Sequence, residues 1–125
     1  IYNYFVIGLP WDNEKTIEET INFAIQLDSD FVSFYTAMPL PGTRFYKFAQ
    51  ENNLLDKDIS WEHAYYNPVI NTMCLSKERI LELHKQAVKR FYLRPMFILR
   101  SVFNIRSFAE VKNYFLAGMN ILFRK

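Results

Sequence analysis

Two short apolar runs separated by a helix-sized spacer constrain this chain most. Tyr4-Phe5-Val6-Ile7-Gly8-Leu9-Pro10 leads, Thr16 to Leu27 follows, and Phe31 to Pro41 closes on Pro39-Leu40-Pro41-Gly42-Thr43. A parallel, right-handed βαβ unit needs this order: strand, a crossover of about twenty residues with a helix inside, strand. Both runs end on Gly/Pro turns, and in parallel α/β proteins that edge is where ligands sit. Tyr2 to Leu9 is aromatic and β-branched without strict alternation, which predicts a strand buried on both faces. Phe31 to Ala37 is the second strand.

Helix limits follow from local chemistry. Thr16-Ile17-Glu18-Glu19 has the form of a capping box, with Thr16 as cap and Ile17, Ile21, Ala24 and Ile25 on one face. Thr43 caps a second helix that turns Phe45, Phe48 and Ala49 inward and ends near Asn52-Asn53. Leu54 to Asn67 reads as irregular, and Pro68 to Cys74 as a short strand. Ser76 caps a third helix with Ile80, His84, Ala87, Val88 and Phe91 inside. It breaks at Arg94-Pro95, because a residue before proline avoids the helical region. Pro95 then opens a fourth helix through Phe103, and Ser107-Phe108-Ala109-Glu110 opens a last one through Leu122. The predicted class is α/β. Residues 1–55 hold a parallel βαβ unit and its following helix, 56–75 a connector, and 76–125 a helical C-terminal subdomain.

Composition sets the limits. The chain has 125 residues, half of them hydrophobic and 18% aromatic, which excludes a disordered protein. No run of about 18 apolar residues is present to span a membrane. The start carries no secretory signal, so a cytoplasmic location is expected. The chain opens on Ile1, inside strand-like sequence, and is read as an internal fragment of a larger protein. One cysteine, Cys74, excludes an intrachain disulfide and a multi-cysteine metal site. Net charge is +2 but uneven: Arg94, Arg100, Arg106, Lys112, Arg124 and Lys125 face Glu110 alone beyond residue 93. Such a tail suits an acidic partner, nucleic acid or a membrane surface. Solvated faces of helices docked on a larger body are the preferred reading, and no nucleic-acid partner is expected.

Phe5-Val6-Ile7-Gly8-Leu9-Pro10, Thr16-Ile17-Glu18-Glu19-Thr20, Pro39-Leu40-Pro41-Gly42-Thr43 and the later Phe91-Tyr92-Leu93-Arg94-Pro95, in this order, resemble the C-terminal part of a radical S-adenosylmethionine enzyme. The likeness is to the group that often carries an upstream cobalamin-binding domain. It implies a partial (β/α)6, TIM-like barrel, with S-adenosylmethionine, a 4Fe-4S cluster and, in some members, cobalamin as cofactors. Tyr4, Val6 and Gly8 fall on that family's glycine–x–isoleucine–x–glycine strand, so the first glycine is replaced, and Trp11-Asp12 stand where it has glycine–glutamate. The resemblance implies cofactor contacts at Val6, Ile7 and Gly8, whose backbone would meet an adenine edge. Phe34, Tyr35 and Pro39 would be apolar walls for the ring. The alternative for Phe34 and Tyr35 is packing on the sheet.

The family holds its cluster with CxxxCxxC, and thiolates are needed for that. Cys74 alone cannot supply it. The expectation is therefore a piece of an oxidoreductase that lacks the cluster ligands. It carries no catalytic or metal-ligating residue of its own and is inactive alone. Cys74 and His84 read as core residues, His63 has no second ligand at metal spacing, and Asp56, Asp58 and Glu62 form no recognisable acid–base pair. The partners expected are the rest of the parent barrel, a hydrophobic substrate and a second copy of the chain covering the strand edge. A peripheral membrane surface is also kept open. The runner-up function is a non-catalytic helical interaction or membrane-surface module, carried by the apolar residues of Met96 to Phe103.

Overall fold

The structure, a computed structural model, describes residues 1–62, 64–103 and Leu116. His63 and the helix expected from Ser107 through Leu122 lie outside the described residues, Leu116 excepted, which is helical. The elements are β1 (Tyr2–Ile7), α1 (Glu14–Gln26), β2 (Phe31–Thr36), α2 (Arg44–Glu51), α3 (Lys77–Tyr92) and α4 (Pro95–Phe103). The two strands pair in parallel, from Tyr2 opposite Phe31 to Ile7 opposite Thr36.

Helix starts are set by side chains that satisfy orphan amides. Thr43 Oγ1 accepts from Tyr46 N at 3.1 Å and opens α2, and Ser76 Oγ accepts from Arg79 N at 3.3 Å and opens α3. The start of α1 differs from expectation. Asn13, not Thr16, is the cap: its side chain accepts from Thr16 N at 3.1 Å, and Thr16 Oγ1 accepts from Asn13 N at 3.1 Å. The box therefore sits three residues earlier, with Thr16 as its inner member. Pro68 to Cys74 forms no strand, only a single antiparallel bridge between Leu55 and Ile70. Thr72 diverts that backbone, because its hydroxyl accepts from Leu75 N at 2.8 Å and folds the segment into a turn.

The strands are not buried on both faces. Ile7, Val32 and Phe34 meet Ile17, Ile21 and Ala24 of α1 and Leu83, Ala87 and Phe91 of α3 in one core. The opposite face holds Tyr2, Tyr4 and Val6, all exposed, with Phe31, Ser33 and Tyr35 half-buried. Both described helices that touch the sheet lie on one side, so alternation reappears in three dimensions although both faces are apolar in sequence. The open face is an aromatic row: Tyr2 stacks on Phe31 at 4.7 Å and Tyr4 on Tyr35 at 6.0 Å.

Polar contacts clamp the elements together. Arg94 donates to Phe91 O and Ile25 O, both at 2.9 Å, and its guanidinium lies 4.2 Å above the Phe91 ring. It thus supplies the cation that the last turn of α1 lacks. Arg79 joins α1 to α3 through Glu14 at 2.7 Å, and Lys77 pairs with Asp56. The hydrogen bond from Arg79, then its charge, holds the Glu14 carboxyl below the ordinary carboxylate range; the Lys77 hydrogen bond does the same to Asp56. A depressed carboxyl stabilises the fold above its unfolded value and ceases to do so as pH falls through its folded value. Urea midpoints followed by circular dichroism should thus be level from about pH 7 to 5 and fall below about pH 4. The fall should shrink in high salt. A midpoint that holds steady to about pH 3 would remove these pairs from the acid response.

Candidate functional site

The C-terminal ends of the strands are framed by one carboxylate. Gly8 turns the chain out of β1 with φ +81°, a left-handed conformation that favours glycine. A β-carbon there would lie 3.1 Å from Ile80 Cγ2, so the strand end also packs tightly on α3. Asp12 Oδ2 accepts from Gly8 N and Leu9 N at 2.9 Å each, and its Oδ1 accepts from Thr16 Oγ1 at 2.9 Å. The Asp12 carbonyl accepts from Thr72 Oγ1 at 2.8 Å, and Pro10 O accepts from Met73 N at 2.8 Å. One aspartate thereby ties the β1 turn to the start of α1, and its backbone joins the loop before α3. Sequence reading noted Asp12 only as a replacement in the resembled motif and gave it no structural task. The available signal was an Asp in a turn, a residue type whose side chain readily bonds nearby backbone groups.

The six residues expected to contact a cofactor divide in two. Phe34 is 2% exposed and stacks on Phe5 at 5.7 Å in the core. The side chains of Ile7 and Pro39 are also buried, Ile7 O accepts from Ala37 N at 2.8 Å, and the Gly8 amide is engaged by Asp12. Val6 and Tyr35 are different: they are direct cross-strand partners on the open face. Around Tyr35 gather Tyr4, Tyr65 edge-on at 6.0 Å and Tyr66 tilted at 5.6 Å. Tyr65 and Tyr66 arrive because Thr36 anchors their loop, with Thr36 N donating to Tyr65 O at 2.9 Å and Thr36 Oγ1 to Ala64 O at 2.7 Å. No sequence spacing brings residues 65 and 66 to residue 35. The result is an exposed, uncharged aromatic platform toward the C-terminal ends of the strands, with π-faces suited to a flat or cationic group.

Buried polar groups near this platform have structural partners. His84 Nε2 lies 2.8 Å from Phe34 O, which makes that nitrogen the donor, as the core reading of this residue expects. Tyr92 OH donates to Val32 O at 2.6 Å and accepts from Val32 N at 3.2 Å. Burial pushes the Tyr92 hydroxyl upward, against the weaker downward pull of its bond to Val32 O. Cys74 is exposed rather than a core residue, because the Thr72 turn carries it outward. Among the described residues no group of three or more His, Cys, Asp or Glu side chains can hold a metal ion, and no helix is long and apolar enough to cross a membrane. A cavity of about 250 Å³ lies at the other end of the sheet, beside Tyr2, Phe31, Phe97 and Arg100, away from the C-terminal ends of the strands.

No family model matches the chain. The chain is similar to a protein of Pyrococcus horikoshii named as an uncharacterized methyltransferase, with 36% identity over 105 residues. That match covers 83% of this chain and 23% of the relative, so the chain spans less than a quarter of the relative's length. This finding corrects the resemblance drawn from the motifs. The relative is named for methyl transfer, and nothing found indicates a radical S-adenosylmethionine enzyme, an iron–sulfur oxidoreductase or cobalamin. The relative's name does not favour a non-catalytic interaction or membrane-surface module either. The motifs misled because each has a local structural task. Gly8 makes a left-handed turn, Thr43 caps α2, and Arg94-Pro95 separates two helices. Any parallel βαβ unit with following helices needs such residues.

Proposed function

We propose that this chain belongs to a methyltransferase, in which its open aromatic platform holds the flat or cationic part of S-adenosylmethionine. The relative named as a methyltransferase supports the reaction class. The observation that carries the site is the assembly of Tyr35, Tyr4, Tyr65 and Tyr66 beside Val6 at the strand ends. Adenine is a flat π-system and the methyl-bearing sulfur is a cation. Tyrosine faces attract both, by about 0.5–1.5 kcal/mol per contact. Val6, 49% exposed, gives an apolar floor beside Tyr35. Asp12 takes no part in contact; it fixes the Gly8 turn and hence the height of the strand end.

When bound, S-adenosylmethionine supplies an electrophilic methyl group: a nucleophile bonds to the methyl carbon, the carbon–sulfur bond breaks, and the nucleophile's proton passes to solvent or a base. This chain's own residues orient the donor by stacking and keep one ring face dry. Titration calorimetry with S-adenosylhomocysteine, the unreactive product form, tests the site. Tyr35→Ala should weaken binding about tenfold, the loss of one good aromatic contact. Tyr35→Phe should retain most of it. Equal affinity for wild type and Tyr35→Ala, or no binding to the wild-type chain at millimolar ligand, would overturn the assignment.

A further inference from the structure

The two edges of the sheet are treated differently. Ile1 O and Ile7 O accept from Phe31 N and Ala37 N, so in this parallel ladder the odd-numbered residues of β1 face β2. By the same alternation, Val32, Phe34 and Thr36 present their backbone groups to the far edge of β2. That edge is sealed: Tyr92 OH bonds both Val32 groups, His84 bonds Phe34 O, and Tyr65 O accepts from Thr36 N. Tyr2, Tyr4 and Val6 present theirs to the outer edge of β1. Among the described residues nothing pairs with them, and no charge, proline or bulge blunts that edge.

We propose that this edge pairs with the same edge of a second copy of the chain, antiparallel about a twofold axis at Tyr4. The match is self-complementary. Placing Tyr4 opposite its symmetry mate sets Tyr2 opposite Val6 on both sides, so every outward amide meets an outward carbonyl with no shift of register. The helices of both copies stay on one side of the resulting four-stranded sheet. The exposed rings of Tyr2 and Tyr4, already stacked at 6.4 Å, join into one continuous row across the axis. β1 carries no ionisable charge to oppose the approach, and the whole chain carries only +2. This pairing does not depend on the proposed ligand, because it uses backbone groups of β1; the platform uses side chains, those of Tyr4 and Val6 among them, so the Tyr4 variants are read by chain mass and not by ligand binding.

Sedimentation equilibrium of the full chain, over about 5–200 µM, should show a shift from one- to two-chain mass, as a small interface of this kind predicts. Tyr4→Pro removes an amide that points only outward and should shift the dimer midpoint at least about tenfold. Tyr4→Lys keeps that amide but opposes two cations at the axis; it too should weaken the dimer, and less so in high salt. Both should keep the wild-type circular dichroism spectrum. Amide exchange at Tyr4 and Val6 should slow as concentration rises. One-chain mass throughout, or a dimer unchanged by both substitutions, would overturn the proposal.

Discussion

Phe91→Ala is expected to lower the unfolding free energy by about 3–5 kcal/mol, the range for deleting a fully buried aromatic ring. Phe91 is completely buried and occupies the point where α3, α1, the sheet and α4 meet. It packs on Tyr92 at 5.0 Å and Phe97 at 5.7 Å, and its face carries the Arg94 guanidinium. Truncation leaves a cavity and strands that cation, whose Nη2 is buried without a hydrogen-bond partner. A small domain has about 5–15 kcal/mol in total, so the variant should be marginal at 25 °C. Phe91→Leu keeps most of the volume and should cost about 1–2 kcal/mol. Urea unfolding followed by far-ultraviolet circular dichroism measures both. A loss below about 1 kcal/mol for Phe91→Ala would mean that the ring does not organise the core. Phe97 is the aromatic residue of α4 that packs on this core, so α4 should loosen first, read as faster amide exchange in residues 96–103.

Asp12→Ala should cost about 2–4 kcal/mol, although the residue lies outside the hydrophobic core. Three donors lose their acceptor together: the amides of Gly8 and Leu9 and the hydroxyl of Thr16. Hydrogen bonds to a charged acceptor contribute more than neutral ones, and the first two donors are backbone groups that cannot rotate to other partners. Asp12→Asn keeps one carbonyl acceptor and should recover about half of the loss. The same variants separate framing from contact. If Asp12 acts through the Gly8 turn, Asp12→Ala should weaken S-adenosylhomocysteine binding and shift the amide resonances of Gly8 and Leu9, with Asp12→Asn intermediate in both. Binding unchanged in Asp12→Ala would detach the ligand edge from this turn.

Local structure was readable where one side chain decides it. Thr43, Ser76 and the Arg94-Pro95 break place α2, α3 and α4 within a residue or so, because a cap acts on amides two or three positions away. Where two caps competed, reading failed by a few residues. Asn13 and Thr16 satisfy each other, and the outer partner starts the helix. The expected strand at Pro68 to Cys74 failed for a related reason: Thr72 and Leu75 close a turn that outcompetes pairing. His84 was legible as a core residue from its place on an apolar helix face, but its partner, Phe34 O fifty residues away, was not.

The candidate site shows the same division more sharply. Residue type and order were enough to establish a parallel βαβ unit; that its C-terminal edge takes a ligand is the proposal made above. They could not say which apolar face of the sheet would be covered, because Tyr2, Tyr4 and Val6 are as apolar as Phe5 and Ile7. Burial is a property of the neighbours. Placing α1 and α3 on one side sent Phe34 to the core and left Tyr35, the next residue, on an open platform. Tyr65 and Tyr66 joined that platform only through the bonds made by Thr36, which close a loop of about thirty residues that no local pattern encodes. Sequence by itself determined the elements and their direction, since caps, turns and alternation act within a few residues. The tertiary structure alone decided which side chains meet and which strand edge stays free, since those depend on contacts between residues far apart in the chain.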